Sequence, residues 1–215
     1  MKRFKQRRKD VTTAEATLAQ LRAGNQRFIA RVSDNEFSAE AGSPYQLMQK
    51  HAPSAIIVGC ADARVPVEII FDQNIGSLFV VRVAGNVVTP TQLGSVEFAA
   101  EQFGVSLVVV LGHSRCGAVD ATLQTLRQGS EPASPNLREI VDCIRPGLEP
   151  LLDASQQVTD ETLLEQAVRA NIKSSVARMR HDSAVLQALE SQGKLTIVGA
   201  EYCLDSGQVE FLDAG

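Results

Sequence analysis

Four short apolar runs rich in Val and Ile constrain this chain more than any other feature: Ala55 to Val58, Leu78 to Val83, Val105 to Leu111 and Leu195 to Val198. Each has the length of a strand and lacks the polar alternation of a half-exposed sheet, so each reads as a strand buried on both faces. Helical stretches separate them. Thr89, Pro90 and Gly104 bracket a helix carrying Leu93, Val96, Ala100 and Phe103, with a cap, an N1 proline and a terminal glycine. Another helix runs from about Glu161 to Arg180, and Gly193 closes a shorter one. Strands alternating with helices predict an α/β fold: an open, mostly parallel sheet of four parallel strands plus a C-terminal edge strand at Val209 to Leu212, flanked by helices.

At the N-terminus Thr12 and Glu15 fit a capping box, and Leu18, Leu21, Phe28 and Ile29 give a loosely helical apolar face that ends at Ser33 to Glu36. A helical N-terminal arm is expected. Its apolar face has no evident partner in one compact domain, which points to a second subunit. The stretch Gly129 to Pro135 is a turn-rich insertion too short to separate domains. One domain over residues 11–215 follows, preceded by a disordered tip over residues 1–10. That tip holds six Lys/Arg and one Asp, so the net charge of −4 hides an acidic body of −9. With a single aromatic, Phe4, and no repeated aromatic interleaving, the tip reads as solvated rather than as a nucleic-acid or membrane contact. No apolar run approaches the roughly 20 residues of a membrane helix. With no apolar leader segment, the four cysteines read as reduced thiols or metal ligands, and the cytoplasm is the expected compartment.

The chemistry gathers where strands end. The first runs into Gly59-Cys60-Ala61-Asp62-Ala63-Arg64 and the third into Gly112-His113-Ser114-Arg115-Cys116-Gly117. Ligands of open α/β sheets bind at strand carboxyl ends, above all where neighbouring strands send their connections to opposite faces. If these two strands are neighbours, Cys60, Asp62, His113 and Cys116 converge. Two thiols, an imidazole and a carboxylate are zinc ligand types. A structural site favours paired Cys-x-x-Cys knuckles, whereas three N/S ligands leave a fourth position for water or Asp62, which is a catalytic pattern. Cys143 and Cys203 have no His or Asp at ligand spacing and read as bystanders. Gly112 to Gly117 has phosphate-loop glycine spacing, but Ala118 and Val119 stand where Lys and Ser/Thr are needed. A nucleophile elbow at Ser114 fails because Cys116 replaces its second glycine.

Cys-Ala-Asp-Ala-Arg at 60 to 64 and His-Ser-Arg-Cys at 113 to 116 resemble the zinc motifs of β-class carbonic anhydrases. The resemblance extends through Gly24, Asn25, Arg27 and Phe28, through Phe79-Val-Val-Arg-Val-Ala-Gly-Asn86, and through Gly94-Ser-Val-Glu-Phe98 to Gly207-Gln-Val-Glu-Phe-Leu212. It implies one Zn2+ per chain on Cys60, His113 and Cys116, with Asp62 able to take the fourth site and Arg64 paired to Asp62. It further implies Gln73 and Phe98 as residues lining the substrate pocket near a subunit interface, in a homodimer, with pairing of dimers into a tetramer as an option. The implied reaction is reversible hydration of carbon dioxide to bicarbonate and a proton, zinc lowering the pKa of its water to roughly 7 so that hydroxide attacks. Two alternatives share these motifs: a carbon disulfide or carbonyl sulfide hydrolase on the same scaffold, and a non-catalytic zinc sensor.

Overall fold

The computed structural model describes residues 12–33, 52–154 and 159–212. The basic tip at 1–10 and the end of the N-terminal apolar segment at 34–36 lie outside the described residues.

Five strands form one sheet in the order β2-β1-β3-β4-β5, where β1 is Ala55–Gly59, β2 Leu78–Arg82, β3 Leu107–His113, β4 Thr196–Tyr202 and β5 Val209–Leu212. The first four are parallel and β5 returns antiparallel to β4, as the sequence pattern predicts. β1 and β3 are buried along their whole lengths, which is why their runs carry no polar alternation.

One face of the sheet is covered by α1 (Ala14–Ser33) and the short α2 (Val67–Ile70). The other carries α3 (Pro90–Phe103), α4 (Gly117–Gln128), α5 (Pro135–Ala154), α6 (Asp160–Asp182) and α7 (Ala184–Ser191). No helix among the described residues is long and apolar enough to cross a membrane. Caps fall largely where the sequence puts them: Thr89 precedes Pro90, Gly104 turns left-handed at φ 64°, and Gly193 does so at φ 66° after α7. At α1 the cap is one residue later than expected, because the Thr13 hydroxyl, not Thr12, accepts the Ala16 N–H. β4 extends four residues past the expected Val198, since Glu201 is accommodated by Arg169 rather than breaking the strand. The helices α2, α4 and α5 have no counterpart among those named from the sequence pattern, and α5 is the longest of them. It continues through Pro146 and Pro150, and Gly147 lets it approach α6, where a Cβ would lie 3.2 Å from the Ala170 carbonyl oxygen.

The expectation that α1 lacks a partner within the chain is corrected. Leu21 is 1% exposed and Phe28 is buried, in a cluster with Ile57, Phe71, Val109 and Tyr202. Burial of two such side chains stabilises by about 1.5–3 kcal/mol each. The dock is close: a Cβ on Gly24 would sit 1.8 Å from the Phe71 carbonyl oxygen. It is also specific. The buried Asn25 amide donates to the carbonyls of Ile70 and Gly207 and accepts the Val209 N–H, satisfying backbone groups at the start of β5.

Candidate metal centre

β1 and β3 are adjacent, yet the chain leaves β1 toward β2 and leaves β3 toward β4, on the other side. The crevice between their carboxyl ends is therefore the topological switch point of the sheet. Cys60 follows β1 directly, His113 is the last residue of β3, and Cys116 is the N-cap of α4. The three are buried, and their ligand atoms lie within 4.8 Å of one another. The sulfurs of Cys60 and Cys116 are 4.0 Å apart.

Local hydrogen bonds fix each group. His113 Nδ1–H donates to the Ser114 carbonyl at 3.0 Å, which sets the tautomer and leaves the Nε2 lone pair available. Nε2 is buried and makes no hydrogen bond. Cys60 Sγ accepts the Gly85 N–H at 3.3 Å. Arg82, at the end of β2, donates to the carbonyls of Cys60 and Asp62 and so ties down the loop that carries both. The proton affinities follow from this crowding. The hydrogen bond from Cys116 pushes the Cys60 thiol well below its ordinary range, and the same bond together with burial pushes Cys116 up. Burial disfavours a charged His113, but the Cys60 sulfur beside it prevails and raises its proton affinity. Two sulfurs and an unpartnered ring nitrogen meeting in one buried spot make a donor set of the kind that holds a metal cation.

Asp62 and Arg64 stand at the edge of the trio. The Arg64 backbone N–H and Nε both reach Asp62 Oδ1, at 2.9 and 3.0 Å, and Nη2 reaches Oδ2 at 2.7 Å. This fork holds the Asp62 carboxyl far below the usual carboxylate range. Asp62 is mostly buried, whereas more than half of the Arg64 side chain faces solvent.

Gln73 and Phe98 are not brought to the trio within the chain. Gln73 Nε2 donates to the carbonyls of Phe71 and Asp72, beside α1. Phe98 projects from α3, 53% exposed, with its ring centroid 6.0 Å from that of Phe103 and 6.5 Å from that of Phe79. Cys143 and Cys203 also lie apart, the first accepting a hydrogen bond from Arg178 on α6, the second in the turn between β4 and β5. Sequence reasoning missed the roles of Arg82 and Gly85, although both sit in a stretch that it singled out for its resemblance.

A family model described as carbonic anhydrase matches residues 55–209. Carbonic anhydrase 2 of Mycobacterium tuberculosis is 37% identical over 203 residues, covering 94% of each chain. The carbonic anhydrase of Mycolicibacterium smegmatis is 37% identical over 190 residues, covering 88% of this chain and 89% of the other. Among solved structures, the β-carbonic anhydrase CafA of Aspergillus fumigatus superposes with a TM-score of 0.70 at 25% identity, over 94% of this chain and 91% of that one. The open α/β sheet of this chain is thus that of a carbonic anhydrase. The chain belongs to the β-class carbonic anhydrases, enzymes that interconvert carbon dioxide and bicarbonate. That these relatives are carbonic anhydrases favours carbon dioxide over carbon disulfide or carbonyl sulfide as substrate.

Proposed function

We propose that Cys60, His113 and Cys116 hold one zinc ion per chain and that Asp62 and Arg64 govern access to its fourth position. The observation that carries this is the buried, unpartnered Nε2 of His113 beside two sulfurs 4.0 Å apart. Two sulfurs on one tetrahedral zinc, with bonds of about 2.3 Å, stand about 3.8 Å apart, so the donor set fits the ion. Bound there, zinc supplies a Lewis acid that makes water a nucleophile near neutral pH. The chain's own residues do the rest. Arg64 holds the Asp62 carboxylate in a bidentate fork, and that carboxylate would accept a hydrogen bond from the attacking oxygen and so orient it. Gly85 N–H and Arg82 hold the Cys60 loop still while this happens.

The domain spanning 11–215 works as a homodimer in this reading, with Gln73 and Phe98 completing the pocket close to the interface. Support comes from exposed apolar side chains at Phe98 and Ile75, flanking β2, which is an edge of the sheet. Free cysteines are in keeping with a cytoplasmic, reducing compartment.

The test is metal analysis with stopped-flow hydration. Wild type should hold about one zinc per chain, Cys60→Ser and His113→Ala should lose both metal and activity, and Cys143→Ser and Cys203→Ser should keep both. Stoichiometric zinc with wild-type hydration in Cys60→Ser or His113→Ala removes the ligand assignment. Sedimentation at micromolar concentration tests the dimer, and a fully active monomer contradicts it.

A further inference from the structure

We infer that Asn171 and Ser175, on α6, are positioning residues for the metal centre, acting through the turn at Ala84–Asn86 on the sulfur of Cys60. This rests on the assignment of Cys60 as a zinc ligand.

The turn is an unfavourable piece of backbone. Gly85 has φ 68° and Asn86 has φ 45°, two successive residues in the left-handed region, the second of them not glycine. No side chain caps the turn from within. It is held from outside, by α6. Asn171 Nδ2 donates to the Gly85 carbonyl at 2.8 Å, and Ser175 Oγ, one helical turn on, donates to the Asn86 carbonyl at 3.2 Å. Gly85 is thereby gripped at both ends, its carbonyl by Asn171 and its N–H by the Cys60 sulfur. Space fixes it as well: a Cβ at Gly85 would lie 2.8 Å from Ile144 Cδ1 and 3.2 Å from Ala118 Cβ.

Asn171 is buried and its Oδ1 makes no hydrogen bond, so it carries a desolvation cost for the sake of the single bond that its Nδ2 makes to the turn. What the amide does provide is an N–H at the Gly85 carbonyl. An N–H donated to a thiolate draws electron density from sulfur, so the sulfur gives less to a bound metal, which stays a stronger Lewis acid. Two thiolate ligands weaken zinc in that respect compared with imidazoles, and the Gly85 bond offsets it. Asn171 and Ser175 keep that bond aligned, although neither touches the metal ligands.

The experiment compares zinc-loaded wild type with Asn171→Ala, Ser175→Ala and, as a control, Val168→Ala, which removes buried apolar volume from the same helix. Three quantities are read: the pH at which kcat/KM reaches half its maximum, the sulfur-to-metal charge-transfer band of the cobalt-substituted protein, and the melting temperature. Asn171→Ala should have kcat/KM about tenfold lower at pH 7. The deficit should close at alkaline pH because the midpoint moves up, and the cobalt band should move to longer wavelength as the sulfur becomes a better donor. Ser175→Ala should change both in the same direction by less. A wild-type midpoint and cobalt band in both variants, whatever their melting temperatures, overturn the inference, as does a Val168→Ala control that reproduces the shifts. Should Asn171→Ala fail to fold, Ser175→Ala decides by the same two readouts. Loss of the ligand assignment itself is seen separately, as zinc retained by Cys60→Ser.

Discussion

Asp62 Oδ2 lies 3.9 Å from His113 Nε2, near enough that a modest rotation of the carboxylate would bring it onto an ion held by that nitrogen. The Arg64 fork, with Nη2 2.7 Å from the same oxygen, opposes the rotation. Arg64→Ala should therefore free Asp62 to close the fourth site. We expect kcat/KM about 100-fold lower at pH 7 with zinc content near normal, the deficit widening toward acid pH, and little recovery with Lys, which lacks the planar fork. Asp62→Ala should be slow at every pH without that acid-side closure. Hydration rates against pH, measured beside metal content, decide the matter, and near-wild-type rates in both variants would sink the switch.

Gly85→Ala should be among the most damaging single-methyl changes in the chain. It places a side chain at a φ of 68° and pushes a Cβ to within 2.8 Å of Ile144. The left-handed conformation costs roughly 1–2 kcal/mol and the overpacking a similar amount, about 3 kcal/mol together. A melting temperature lower by about 10 °C is expected, accompanied by weaker zinc retention. An unchanged melting temperature would show that the turn readily relaxes.

Glu201 of β4 and Glu210 of β5 are register partners, and Arg169 bridges them, its Nε 2.8 Å from Glu201 Oε2. Arg169 lowers the Glu210 carboxyl, whereas burial raises Glu201. The Glu210 contribution is therefore full at neutral pH and fades as pH falls below the ordinary carboxylate range, while Glu201 acts in the opposite sense, its ionised form being the costly one. Arg169→Leu leaves two facing carboxylates with no cation between them. The loss should be about 2 kcal/mol at pH 7, below the range for a fully buried pair because Arg169 is 44% exposed, and it should shrink toward pH 4. Thermal melts at both pH values test the sign, and a larger loss at acid pH would reverse the assignment.

Gly24→Ala tests the docking of α1. Its Cβ would meet the Phe71 carbonyl oxygen at 1.8 Å, so either α1 or the end of α2 must move. About 3 kcal/mol of destabilisation is expected, with faster proteolysis inside α1 than elsewhere. Wild-type protection of α1 in this variant would mean that the helix does not need so close an approach.

What the sequence made legible follows from how locally each feature is encoded. β1 and β3 announce themselves because Ile56, Ile57, Val58 and Val108 to Leu111 form unbroken apolar runs, and the metal motifs adjoin those runs. The second half of β4 is hidden by Glu201, whose strand position makes sense only with Arg169, a residue on a distant helix. α5 is masked by Pro146 and Pro150, whose local signal is to break a helix, while its packing on α6 through Gly147 is a tertiary fact. The partner of α1 is hidden for a similar reason: the carbonyl of Phe71 that receives Gly24 leaves no mark in the residues of α1 itself. At the site, the ligand types could be read from spacing, but the support of Gly85 by Asn171 spans 86 positions and has no sequence signature.

Adjacency of β1 and β3 has a consequence for the order of assembly. Cys60 and Cys116 are 56 positions apart and meet only when the two strands have paired, so an unfolded chain offers an ion little more than the nearby His113 and Cys116. Closing that loop costs entropy before any ligand bond rewards it. Zinc should therefore arrive late, as a latch on a finished sheet rather than a seed for it. Chelation should accordingly lower the melting temperature of a protein that still folds, and refolding rates should be the same with and without the ion.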